Sequence, residues 1–102
     1  EYVREHLSAD DAEVRSEAAL AMGTLGSSAD IATLRQMIVA DRFSVATAAA
    51  ASLIGITESD AVQILQDLMN DPAVSADKKE MLSQTIAGAE RGRQIREALR
   101  GQ

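Results

Sequence analysis

The residues of this chain recur with a period of 31. Leu7 recurs as Ile38 and then Met69, Val14 as Val45, Ala18-Ala19 as Ala49-Ala50, and Met22 as Leu53. Leu25 recurs as Ile56, Leu34 as Leu65, Met37 as Leu68, and Asp10 as Asp41. A fixed period of this length marks stacked supersecondary units, each too small to bury its apolar face alone. The apolar fraction is 46%, so some matches arise by chance; the order of features carries more weight. In both copies an acid precedes a Val, then come a helix of small residues, a Gly near its end, and a second helix with paired apolar residues.

Abundant Ala, one Pro, one Tyr, one Phe and no Trp point to an all-α chain, because Ala is the best helix former and strand-favouring runs are missing. Helices are expected over about 11–25, 30–40 and 44–56, and from Ser59 or Asp60 to about 70. Asp10 or Asp11 caps the first of these, and Gly26-Ser27-Ser28 stops it. Gly55 is tolerable so close to a C-terminus. After Asp71-Pro72 a shift of 33 fits better, pairing Ala49 with Leu82, Leu53 with Ile86, Ile56 with Ala89, Val62 with Ile95 and Leu65 with Ala98. Two extra turn residues explain that change, since turns absorb insertions cheaply. The third copy is then a helix over 75–89 and another over 91–100, or one kinked helix.

The segment Val3–Leu7 maps onto the second half of a preceding second helix, with Arg4 on Arg35 and His6 on Met37. The chain therefore reads as a single repeat domain over 1–102. Residues 1–9 are a remnant of a preceding repeat, 10–40 and 41–70 are two repeats, and 71–102 form a degenerate, capping third. A piece of a longer protein is expected. Lys78, Lys79, Glu80, Arg91, Arg93 and Arg96 give the third copy the polar outer face that a terminal repeat needs. Small side chains at Ala46, Ala48, Ala49, Ala50 and Ala51 suit the helix over 44–56 to a central place, packed on both sides.

The block Asp11-Ala-Glu-Val14-Arg15-Ser-Glu-Ala18-Ala19-Leu20-Ala-Met22-Gly23 resembles a HEAT repeat. More narrowly, it resembles the short variety of about 30 residues found in phycobilin lyase subunits and many bacterial proteins. The second copy keeps Asp41, Val45 and Ala49-Ala50 but has Ala46 where Arg15 stood; in the third, Lys79 aligns with Arg15 and Lys78 with Val45. The resemblance covers about residues 3–100 and implies an α-solenoid of about three antiparallel helix pairs. Arg15 is expected between adjacent turns, bonded to Asp10 or Asp41. In the family such pairs form a ladder, which here breaks at Ala46.

Composition excludes several functions. The net charge of −6 argues against generic affinity for nucleic acid or anionic lipid. No apolar run approaches 18 residues, and the start lacks the basic and apolar regions of a signal peptide; a cytoplasmic location is expected. Cys is absent, which removes disulfides and thiol catalysis. HEAT-like deoxyhypusine hydroxylases bind iron through several His-Glu pairs. This chain has only His6 beside Glu5, so His6 reads as a former core-face residue at an edge. HEAT-like DNA glycosylases use a basic, aromatic-lined groove, which two aromatics and a negative charge do not make. Paired carboxylates such as Asp10-Asp11, or Asp60 with Asp67, read as caps and solvated faces. The methionines Met22, Met37, Met69 and Met81 read as core. No catalytic constellation, cofactor or metal site is expected.

The expected function is a non-catalytic protein–protein interaction or scaffolding module. Its partner, a protein or a neighbouring domain, would dock in the groove lined by the second helices. The register places Ala32, Gln63 and Arg96 in one row and Gln36, Asp67 and Arg100 in another, away from the apolar residues. The candidate site is Gln36, Gln63, Asp67, Arg96 and Arg100. Residues 1–77 carry four basic and thirteen acidic side chains, and 78–102 six basic and three acidic. The two arginines therefore belong to the one basic segment. Self-association through the apolar N-terminal edge at Val3 and Leu7 is the accompanying expectation. A subunit or domain of a chromophore lyase-like enzyme, and a regulatory domain of a larger signalling or transport protein, are the alternatives.

Overall fold

The computed structural model describes residues 2–101, and the side chains of 3–101. Helix α1 spans Tyr2–His6, α2 Ala12–Leu25, α3 Ile31–Ala40, α4 Phe43–Ile56, α5 Glu58–Met69 and α6 Ala76–Arg100. There is no strand among the described residues. The molecule is elongated, 48 × 31 × 20 Å, as a stack of units requires.

Side-chain caps set two of the boundaries. The Asp11 carboxylate accepts from the Glu13 N–H at 2.8 Å and caps α2. A 3-10 turn over Ser28–Asp30 leads into α3. Its first backbone N–H, on Ser27, donates to Asp30 Oδ2 at 2.9 Å, while the Ser27 hydroxyl accepts from the Ala29 N–H. Helix α5 begins at Glu58, a residue or two ahead of the Ser59 or Asp60 cap that the sequence suggests. Thr57 is the lone residue between α4 and α5.

Helix α4 is the hub, touching α2, α3, α5 and α6. Val45, Ala46, Ala49, Ala50 and Leu53 are fully buried, and Ala48 nearly so; Ala51 alone of the alanine run faces solvent. Met22, Leu34, Ile38, Leu65 and Leu82 from the surrounding helices complete the core. The alanines matter because they let backbones approach. A Cβ on Gly55 would stand 2.6 Å from the Gly23 carbonyl oxygen, and one on Gly23 would stand 3.3 Å from Ser52 Cα. Beside this crossing the buried Ser52 hydroxyl donates to the Ala19 carbonyl. Gly55 is thus fixed by the α2–α4 crossing and not by helix termination.

The third unit departs from the pattern of the first two. Residues over 75–89 and 91–100 form one continuous helix, α6. Its first half does the work of a first helix: Leu82 and Ile86 are buried at the positions aligned with Ala49 and Leu53. Its second half does not fold back. Ile95 and Ala98, aligned with Val62 and Leu65, are exposed. Beyond Thr85 the chain has no Ser, Thr, Asp or Asn, so no side chain there can cap a new helix start as Ser27 caps the 3-10 turn. Gly88 and Gly92 lower helix propensity without ending the helix, and neither has a positive φ.

Lys78 also departs from expectation. It is 8% exposed, and its Nζ donates to the carbonyls of Val39 at 3.1 Å and Asp41 at 2.5 Å. A side chain read as part of a solvated cap instead satisfies the orphan carbonyls that end α3.

Candidate functional site

Two arginine–aspartate rungs hold the turns. Arg15 lies bidentate on Asp41, with Nε to Oδ2 and Nη2 to Oδ1 both at 2.8 Å; its Nη1 donates to the carbonyls of Ala9 and Asp10. Of the two carboxylates that the sequence offers Arg15, Asp41 is the partner. The guanidinium holds the Asp41 carboxyl below its ordinary value, with the Arg42 N–H assisting against burial. Arg4 grips Asp30 the same way at 2.9 Å and 2.9 Å. Those bonds and the Ser27 N–H hold the nearly buried Asp30 carboxyl down at about 2. These groups are structural: each carboxylate accepts two bonds from its arginine and one from a backbone N–H.

The five candidate residues fall in three separate depressions. Gln36 is exposed beside Arg35 and Ala32, over a shallow hollow between α3 and the end of α5. Gln63 donates to Asp67 at 2.9 Å, and both face a second hollow shared with Ser83 and Ile86 of α6. Arg96 and Arg100 line a third with Arg93, Glu97, Glu58 and Ser59. Helix α6 thus runs antiparallel to α5, with Ile86 near the end of α5 and Arg96 at its start. Arg96 Nη2 pairs with Glu58 Oε1 at 2.5 Å. The rows expected from the 33-residue shift need a helix over 91–100 lying beside α5 in the same direction. Because α6 continues as one helix and does not turn back, Arg96 meets Glu58 instead of Gln63, and Arg100 does not join Asp67.

Arg93 and Glu58 were not among the candidates, and no sequence signal points to Glu58. It joins the cleft only because α6 passes the N-terminus of α5. His6 is half-buried on the wall of a groove between α1 and α2, with Val3, Val14, Glu17, Ala18 and Ala21. Among the described residues no group of His, Asp or Glu could hold a metal ion, and no helix is long and apolar enough to cross a membrane. The hollows at these residues are open to solvent, whereas a small-molecule site buries most of its ligand. What the surface offers is ridges, grooves and one cluster of arginines.

No curated protein and no solved structure matches the chain. A family model for HEAT repeats matches residues 1–83, ending within α6 ahead of the exposed arm. With most of its length matched, and with small-residue helices stacked about α4 and braced by arginine–aspartate rungs, the chain belongs to the HEAT-repeat family.

Proposed function

We propose that the chain is a non-catalytic docking module for a protein partner with an acidic surface. HEAT repeats commonly serve as protein-interaction scaffolds and are typically non-enzymatic. The carrying observation is the cleft in which Arg93, Arg96 and Arg100 outnumber Glu58 and Glu97, a locally basic spot on a chain whose first 77 residues are strongly acidic. Such a cluster steers an anionic partner, and the acidic remainder repels a wrong approach. The exposed sides of α3 and α5, with Gln36, Gln63 and Asp67, supply the polar surface along which that partner lies. The open edge of α1 and α2 is a second surface, through which copies of the chain associate.

The test is affinity capture by the purified protein, comparing wild type, Arg96→Glu/Arg100→Glu, and Ala51→Glu on the exposed side of α4. The arginine variant should lose the captured partner while keeping its helical circular dichroism. Ala51→Glu should retain the partner, and retention should weaken as salt rises, because exposed charges are screened over about 8–10 Å at physiological ionic strength. Loss of capture in Ala51→Glu with retention in the arginine variant would move the binding face elsewhere. Turnover of a substrate by the purified protein alone would refute the non-catalytic reading.

A further inference from the structure

The arginine cleft already holds an acid of its own. Arg96 Nη2 stands 2.5 Å from Glu58 Oε1. Arg93 and Arg100, which share the cleft, make no ion pair among the described residues. Glu97 lines the same cleft and pairs with none of the three. Of the two acids present, Glu58 alone has captured an arginine. Both acids belong to helices, so neither drifts in on a loop.

Position explains the capture. Glu58 is the first residue of α5, where the aligned N–H groups favour a negative charge. Arg96 reaches it while lying back over the preceding turn of α6, the direction in which helical side chains lean. Gly92 leaves the room: a Cβ there would stand 3.4 Å from Arg96 Nη1. Arg93, Arg96 and Arg100 fall at i, i+3 and i+7, one face of a helix, spread over about 10 Å of its axis. The middle cation of that row is therefore engaged in the free protein, and the outer two are not. The pair is also easily opened. Its side chains are 44% and 51% exposed, against 18% and 17% for Arg15 and Asp41. An ion pair so exposed contributes little to the fold, so an incoming carboxylate can replace Glu58 at small cost.

We propose that Glu58 is an intramolecular competitor for the arginine cleft: its carboxylate occupies Arg96 until an acidic segment that also reaches Arg93 and Arg100 displaces it. This role rests on the docking reading above and adds its regulation. A lone carboxylate at Arg96 exchanges one ion pair for another and gains nothing. A segment whose acids spread over about 10 Å, roughly three residues of extended chain, engages the two outer arginines as well, and that surplus releases Glu58. The occupant is thus a run of acids along a protein chain.

Fluorescence anisotropy of a labelled decaglutamate peptide, titrated with the 102-residue chain at low salt, tests it. Glu58→Gln should bind about two- to fivefold more tightly than wild type, the range that an exposed pair supports, with unchanged helical circular dichroism. Glu97→Gln removes the same charge from the same cleft without freeing an arginine, and should gain less. The gain from Glu58→Gln should vanish in an Arg96→Gln background, where the competitor has nothing to hold. Equal gains in Glu58→Gln and Glu97→Gln overturn the proposal, because net charge alone is then the cause. An unchanged or weakened affinity in Glu58→Gln overturns it, as does a gain that survives in the Arg96→Gln background. Absence of binding in both wild type and Glu58→Gln overturns it too. The docking reading fails by a different result: Arg96→Glu/Arg100→Glu binding the peptide as wild type does. Where that variant loses the peptide and Glu58→Gln behaves as wild type, the cleft remains the docking surface and only the competitor role falls.

Discussion

Arg15 spans the junction between two repeats, holding the Asp41 carboxylate bidentate while a third nitrogen binds the Ala9 and Asp10 carbonyls. Asp41 is also held from the other side, where Lys78 donates to its backbone carbonyl. One turn residue thus ties α2, the end of α3 and the start of α6 together. The ladder that breaks at Ala46 is continued by a lysine, which reaches the carbonyl and leaves the carboxylate to Arg15.

Because both partners of the Arg15–Asp41 rung are largely sheltered, removing either leaves the other without its bidentate mate. Arg15→Met and Asp41→Asn should each lower the thermal midpoint by several degrees, and the double variant should cost clearly less than the sum. Full additivity in a double-mutant cycle would show that the two side chains do not cooperate.

Acid should loosen the first rung. The Asp30 carboxyl titrates near 2 when folded against 3.8 for the free group, so between those values the unfolded chain binds more protons than the folded one. Its stabilisation is complete above about pH 4 and is lost as pH falls through about 2. The thermal midpoint should fall over this window, and Asp30→Asn should be less stable at pH 6 yet show a shallower fall. An unchanged slope in Asp30→Asn would mean that Asp30 is not a source of the acid sensitivity.

Ala49 and Ala50 have no accessible surface at the centre of α4. Ala49→Leu and Ala50→Leu should each overpack the hub and cost about 1–3 kcal/mol in chemical denaturation. Two unchanged midpoints would remove α4 from the centre of the stack.

The glycines give opposite expectations from the same substitution. Gly55→Ala forces a methyl to within 2.6 Å of the Gly23 carbonyl oxygen and should destabilise by about 1–3 kcal/mol. Gly88→Ala places its methyl in open space within a helix and should stabilise by about 0.5–1 kcal/mol. Denaturant midpoints moving in the same direction for both would contradict the crossing geometry.

Helix identity, the repeat, the core positions Met22, Leu34, Val45, Leu53 and Leu65, and the central place of α4 were legible in the sequence. All of these follow from local propensity and from which face of each helix is apolar, quantities that a 31-residue period states twice over. Tertiary structure decided three things. It chose Asp41 for Arg15: Asp10 is near along the chain, but stacking brings the distant Asp41 onto the guanidinium in bidentate geometry. It buried Lys78, because the carbonyls it satisfies belong to α3, nearly forty residues earlier. It also kept α6 continuous, because the weak break at Gly88–Gly92 had neither a side-chain cap nor a sufficient apolar face to draw the chain back over α5. That last outcome carried Arg93, Arg96 and Arg100 away from Gln36, Gln63 and Asp67 and set them around Glu58. A register found by alignment assumes the turn that would realise it, and in the third unit nothing pulled that turn closed.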